Sequence, residues 1–412
     1  MTINQDDTLR PRLRHLDFQP ITYEGTKYVH LRDPLALAQN SVLVPEPLIP
    51  LLPLLDGSHT ILQIQVILSL RYQQKIGISH IQNLVTSLDE ALLLENSRYQ
   101  QARDSLLENY LSAPSRTGLY SENEPPGDNG RSLKTDLKTL SREYPTPAHI
   151  KIDKPIRGLI SPHIDIPRGG PVYARIWGAA SQAAQTAELV IVLGTDHFSE
   201  GLPFSLTTQH YATPYGVLPT EKKLVNQLAE IIGEKIATTG EIHHRTEHSL
   251  EFASIWLHHI RQGKPVSLLP ILCGPLESYE DNSGNLESSH KLAAIIEYLR
   301  SLVQSRPTLV VAAGDLSHVG PAFGGEQVTP RGLIQLKEAD DLLLKTIASG
   351  DAEEFYQSIR KTGDQNNVCG LSPIYLSMRI LEPVTGFAVG YDACHADTAQ
   401  TSFVSIAGVA LT

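Results

Sequence analysis

The stretch Leu309-Val310-Val311-Ala312-Ala313-Gly314-Asp315-Leu316-Ser317-His318 sets an apolar run directly against a carboxylate and an imidazole. A short apolar run bounded by glycine reads as a buried parallel strand. Two further stretches repeat the plan. Leu189–Leu193 leads into Gly194-Thr195-Asp196-His197, and Ile156–Ile160 leads into Ser161-Pro162-His163. Ligands of open α/β sheets gather beyond the carboxyl ends of the strands. The pattern therefore loads one sheet edge with His163, His197, Asp315 and His318.

Outward from these runs, Val266–Cys273 also reads as a strand. Thr220–Ile232, Glu247–Ile260, Ser289–Val303, Gln335–Ser349 and Ala352–Lys361 carry helical spacing. Strands alternating with helices predict a three-layer α/β domain over 155–412, with a largely parallel sheet covered on both faces. Phe387–Tyr391 and Thr401–Leu411 close it as strands, for which antiparallel pairing is open.

A chain of 412 residues is too long for one ordinary core, and residues 1–111 read as a separate small α+β unit. Ile21–Arg32 supplies a strand pair turning at Glu24-Gly25. Val44-Pro45-Glu46-Pro47 opens a helix, proline being tolerated in a first turn. Ser58 or Thr60 caps the next helix, with Ile61, Ile64, Ile67 and Leu68 at helical spacing. Ile81, Leu84, Val85, Leu88 and Leu92 mark a third. Residues 112–154 have linker composition, as in Ser121-Glu122-Asn123-Glu124-Pro125-Pro126-Gly127-Asp128-Asn129-Gly130. Within them Arg131–Tyr144 carries the spacing of one amphipathic helix.

A net charge of −11 argues against a nucleic-acid surface. The start, Met1-Thr2-Ile3-Asn4-Gln5-Asp6-Asp7, lacks the basic and apolar regions of a signal peptide, and no apolar run approaches a bilayer span. Three cysteines without close spacing, Cys273, Cys369 and Cys394, fit a reducing, cytoplasmic setting rather than a disulfide framework.

Several side chains carry chemistry. Pro162 keeps Ser161 extended, and His163 follows, with Asp165 and Arg168-Gly169-Gly170 beyond. Asp196 beside His197 suits a carboxylate that fixes an imidazole tautomer, or a cap. Asp315 and His318 share a face if a helix begins there, an acid/base pair with the carboxylate orienting the imidazole; Asp315 as an N-cap is the plain alternative. Cys369, before a helix through Pro373–Leu381, is placed for a lowered thiol pKa. In Arg245-Thr246-Glu247-His248-Ser249-Leu250-Glu251, Thr246 would cap a helix and set His248 and Glu251 three apart. Cys273 reads as packing, His258-His259 as a surface turn, and Cys394-His395 as a second metal pair. There is no Ser-centred nucleophile elbow and no HExxH helix.

In order, Ser161-Pro162-His163, Gly194-Thr195-Asp196-His197, Glu247-His248-Ser249, Gly314-Asp315-Leu316-Ser317-His318 and Cys369-Gly370 resemble the Memo family, also called AmmeMemoRadiSam system protein B. The resemblance implies a fold like that of class III extradiol dioxygenases, which are non-haem iron enzymes. It implies a metal held by His163, His197 and Cys369, with iron first and copper or zinc as alternatives. Asp315, His318 and His248 are then the expected catalytic groups. A radical-SAM protein and an AMMECR-type protein are the expected partners. Residues 54–60, Leu54-Leu55-Asp56-Gly57-Ser58-His59-Thr60, resemble PqqD-like winged-helix domains, which implies a peptide ligand. Two departures stand out. The His-Ala-Gly opening of the family has its nearest counterpart in Arg116-Thr117-Gly118-Leu119-Tyr120, and Phe198 follows His197 where a second histidine is common. The expected function is a metal-dependent oxidoreductase; the alternative is a non-catalytic peptide- or protein-binding module.

Overall fold

A computed structural model describes residues 10–23, 25–33, 35–37, 41–71, 76–120 and 132–412. The start of the chain, Glu24 of the expected turn, the 121–130 stretch and Arg131 lie outside the described residues. The chain divides into two compact units, Met1–Ala113 and Pro114–Thr412.

The first unit opens with three antiparallel strands, β1 (Asp17–Tyr23), β2 (Thr26–Arg32) and β3 (Val42–Pro45), in that spatial order. Gly25 supplies the positive φ of 77° that the β1–β2 turn requires. The helix expected after Pro45 is instead a 3-10 helix over Glu46–Leu54. Pro50 and Pro53 lie inside it, and neither has the N–H an α-helical ladder needs. Three helices follow: α1 (Ile61–Arg71), α2 (Ile78–Glu90) and α3 (Ser97–Ser112). Thr60 caps α1 reciprocally, its Oγ1 accepting from the Gln63 N–H while Gln63 Oε1 accepts from the Thr60 N–H. Leu31, Leu51, Ile64, Leu68, Ile81 and Leu88 close the core of this unit.

The second unit is the expected three-layer α/β domain. Its sheet runs β11 (His318–Val319), β13 (Phe403–Leu411), β4 (Gly158–Ser161), β10 (Thr308–Ala313), β5 (Leu189–Thr195), β9 (Ser267–Cys273) and β6 (Phe204–Leu206), with β12 (Gly386–His395) paired to β13. The central strands β4, β10, β5 and β9 are parallel. The closing strands β12 and β13 are antiparallel, as is β6 at the other edge. A separate hairpin joins β7 (Tyr211–Thr213) and β8 (Gly216–Leu218).

One face of the sheet is covered by α4 (Leu133–Glu143), α5 (Ile166–Ala179), α6 (Ser181–Thr186) and α9 (Ser249–Ile260), around Trp177, Trp256 and Tyr173. The other is covered by α7 (Lys222–Ile232), α8 (Glu234–Thr239), α10 (His290–Ser305), α11 (Pro330–Ser349), α12 (Ala352–Arg360) and α13 (Leu371–Leu381), around Leu228, Leu299, Phe355 and Tyr375. Val190, Ile191, Val310 and Val311 are fully buried, as strands covered on both faces must be. Part of the expected linker packs into this unit: Leu137 of α4 is buried among the residues around Trp177.

Register explains how distant motifs meet. Ala313 stands abreast of Ser161 on one side and of Gly194 on the other. Residues two or three positions past each therefore emerge together from one edge. That edge carries His163, Asp315, Asp196 and His197.

Candidate metal centre

His163, His197 and His248 form a group that could hold a metal ion: one ring nitrogen from each lies within 4.8 Å of the others. Two of the rings are anchored by hydrogen bonds at Nδ1, and the third lies near a carboxylate. His163 Nδ1 donates to the Ala313 carbonyl at 3.1 Å. His197 Nδ1 meets the Glu247 carboxylate at 3.0 Å, and His248 Nδ1 approaches the same carboxylate at 3.3 Å. Anchoring at Nδ1 leaves Nε2 to face the cleft, the arrangement that orients imidazole ligands around metals. The donor set therefore fits a metal.

Cys369 joins from across the sheet. Its Sγ lies 3.2 Å from His163 Nε2. Two glycines make that approach: a Cβ on Gly370 would sit 2.5 Å from the Asp315 carbonyl oxygen, and one on Gly314 would sit 2.6 Å from Gly370 Cα. The Gly370 N–H donates to the Asp315 carbonyl at 2.9 Å, and Thr195 Oγ1 donates to the Cys369 carbonyl at 2.9 Å. Backbone contact on both sides thus fixes the thiol.

Charge in the cleft is uneven. Burial, aided by His197, pushes His163 down to about 3, and burial takes His248 down to about 4. Desolvation opposes charge on fully buried Glu247 and on the more exposed His197, but their mutual attraction wins. His197 is held well above its usual value and Glu247 below the carboxylate range. Burial raises the Cys369 thiol. The lowering expected at a helix N-terminus is not observed: α13 begins only at Leu371, with Gly370 at its N-cap, and burial raises the thiol.

Other expectations are corrected by contacts. Asp196 does not orient His197; it binds His243 Nδ1 at 3.0 Å and Ser205 Oγ at 3.0 Å. β5 ends at Thr195 and the chain turns through His197, so Asp196 is committed to His243, Ser205 and the Phe198 N–H, away from the His197 ring. No helix begins at Asp315. β13 captures His318 and Val319 into the sheet instead, pairing His318 with Val404. Asp315 accepts the His163 N–H at 2.8 Å, while His318 Nδ1 lies 3.3 Å from the Leu316 carbonyl. Asp315 therefore braces His163 rather than orienting His318. Burial raises Asp315 and lowers His318.

Thr246 does not cap α9, which starts at Ser249 with His248 at the N-cap position. His248 thereby reaches the imidazole group rather than a helical face shared with Glu251. Asp165 caps α5 by accepting from the Arg168 N–H. His258 is buried within α9, not on a surface turn, with Nδ1 2.7 Å from Thr213 Oγ1. Cys394 is buried against the Arg168 carbonyl and His395 is exposed. Glu247 is the functional group the motifs understated. Its place beside His248 in the sequence was the only signal.

Fold and site define an α/β protein with a histidine-rich cleft suited to a metal ion. Residues 126–410 match the family described as Memo-like protein, and the chain belongs to that family. A MEMO1 family protein of Aquifex aeolicus is 26% identical over 412 residues, covering 97% of this chain and 99% of that protein. A MEMO1 family protein of Archaeoglobus fulgidus is 26% identical over 243 residues, 59% of this chain and 79% of the relative. One from Methanocaldococcus jannaschii is 24% identical over 240 residues, 57% and 75% respectively. The Aquifex match extends across both units. Among the described residues, no helix is long and apolar enough to cross a membrane.

Proposed function

We propose that the chain is a metal-dependent oxidoreductase whose ion is held by His163, His197 and Cys369. The observation that carries this is the meeting of two Nδ1-anchored imidazoles and a thiol at one sheet edge. A bound iron ion, or copper after it, would supply one-electron chemistry there, whereas zinc would supply only Lewis acidity. The protein's own groups do the rest. Glu247 fixes the His197 ring, and Asp315 holds the backbone of His163. His318 is neutral at physiological pH, and its Nδ1 faces the Leu316 carbonyl, which leaves Nε2 to accept a proton. His248, partly exposed beside His197, is a second proton carrier. The Phe323 ring stands edge-on to His318 with centroids 5.0 Å apart and shields that side.

A second ligand set is favoured by one observation, the closeness of the three imidazole nitrogens. In it His248 replaces Cys369, which keeps its proton. Resemblance to the AmmeMemoRadiSam protein supports a radical-SAM protein and an AMMECR-type protein as partners. The Leu54–Thr60 stretch supports a PqqD-like winged-helix role for the first unit, with a peptide ligand. Oxygen consumption by iron- or copper-loaded protein tests the activity. It is expected in the wild type and lost in His318→Ala at unchanged metal content. A loaded wild type that consumes no oxygen leaves a binding protein instead.

A further inference from the structure

Outside the imidazole group, a buried polar cluster of the second unit surrounds Arg116. This residue is 1% exposed although it lies in the segment that opens the unit. Its guanidinium donates to the carbonyls of His244 and Glu247 and, at 2.9 Å, to the Glu251 carboxylate, itself 2% exposed. Its backbone is stitched to the β7 hairpin, the Arg116 N–H donating to the His210 carbonyl and the Arg116 carbonyl accepting from the Ala212 N–H. Four positions on, the Tyr120 N–H donates to the other Glu251 oxygen at 2.9 Å. Between them Gly118 passes so close that a Cβ would lie 2.1 Å from Glu251 Oε1.

The acceptors at 244, 247 and 251 lie on both sides of His248. Contact continues to the ring itself: Tyr120 packs on Phe252 and Phe252 on His248, each with centroids 5.8 Å apart. His248 is the N-cap residue of α9: its carbonyl accepts the Phe252 N–H, while its ring stands outside the helix. The turn that presents it is held by its own backbone bonds and, from outside, by the Arg116 guanidinium on the His244 and Glu247 carbonyls.

We propose that Arg116–Tyr120 is a strap that positions His248 in the cleft, with Arg116 as the positioning residue. The segment that begins three residues after the first unit ends at Ala113 thus clamps the turn bearing Glu247 and His248. The proposal rests on the metal-site reading only for its second readout. In the first, His248 is carbethoxylated with diethyl pyrocarbonate near neutral pH and the labelled peptide is weighed, with buried His163 as the internal control. Arg116→Ala and Gly118→Ala, each confirmed folded by circular dichroism, are expected to label His248 several-fold faster while His163 is unchanged; Arg116→Lys, which keeps the charge and loses the fork, is expected between them and the wild type. In the second, cobalt(II) binding weakens about tenfold in the same variants, with an altered visible spectrum. Wild-type labelling of His248 in any folded strap variant overturns the strap. A wild type that binds no cobalt overturns the metal reading instead, and the labelling still decides the strap.

Discussion

Cys369 Sγ stands 3.2 Å from His163 Nε2 across 206 positions of sequence. Parallel strands bring the histidine to the edge, and a glycine-to-glycine backbone contact brings the thiol. The contact between Gly314 and Gly370 is therefore a determinant of the site and not only of packing.

A methyl group at Gly370 would meet the Asp315 carbonyl at 2.5 Å and the Gly314 carbonyl carbon at 3.0 Å, both backbone atoms that cannot swing aside. Gly370→Ala is expected to destabilise the fold by about 2 kcal/mol. It also moves Cys369 off His163. Urea unfolding measures the first effect. Loss of metal affinity beyond that of a surface control measures the second, and retention of both properties contradicts the role given to the contact.

Glu247 is the only carboxylate bonded to the His197 ring among the described contacts. Glu247→Gln removes the largest attraction that keeps His197 protonated. The His197 pKa in metal-free protein is expected to fall toward its usual value, and metal affinity to drop about tenfold. Histidine proton NMR across pH reports the first. A titration midpoint that does not move rejects Glu247 as the partner.

Proton release separates the two ligand sets. Near neutral pH, His163 and His248 carry no proton, being pushed down to about 3 and about 4, whereas His197 does. Metal uptake by imidazoles alone then releases about one proton. With Cys369, whose thiol is raised and so protonated, as a thiolate ligand the count is about two. In either case affinity falls as pH drops. Calorimetry in buffers of different ionisation enthalpy gives the count, and a count near one removes Cys369 from the ligand set.

Asp340 is fully buried on α11 and bonded to Ser317 Oγ at 2.7 Å and the Tyr391 hydroxyl at 2.8 Å. Burial raises its pKa, so the folded chain holds this proton more tightly than the unfolded one. That contribution to stability is present below the ordinary carboxylate value of about 4 and is lost as pH rises through the folded value. Asp340→Asn keeps one acceptor oxygen, replaces the other with an N–H donor to which a hydroxyl must turn its lone pair, and removes the charge. Relative to wild type, its stability is expected to improve between acid and neutral pH; a difference that stays constant across that window refutes the assignment.

What the sequence made readable was local. Apolar runs ending in Gly194 and Gly314, or followed by Pro162, announced strands whose ends carry His163, His197 and Asp315. The alternating helices announced the layers. Pairings made across the sheet were not readable, because they depend on register: Glu247 with His197, Arg116 with Glu251, and Asp315 with the His163 backbone. Direction was not readable where the chain turns directly after a strand, as at Asp196 and His197. Environment was misjudged where burial opposed a local dipole, as at Cys369. At His318, long-range pairing with Val404 overrode a helix that spacing alone suggested.

Elemental analysis of protein purified without added metal tests the central claim most directly. Wild type is expected to carry close to one ion per chain, with His163→Ala and His197→Ala close to none and Cys369→Ser depleted. Equal metal content in wild type and the two histidine variants would contradict it.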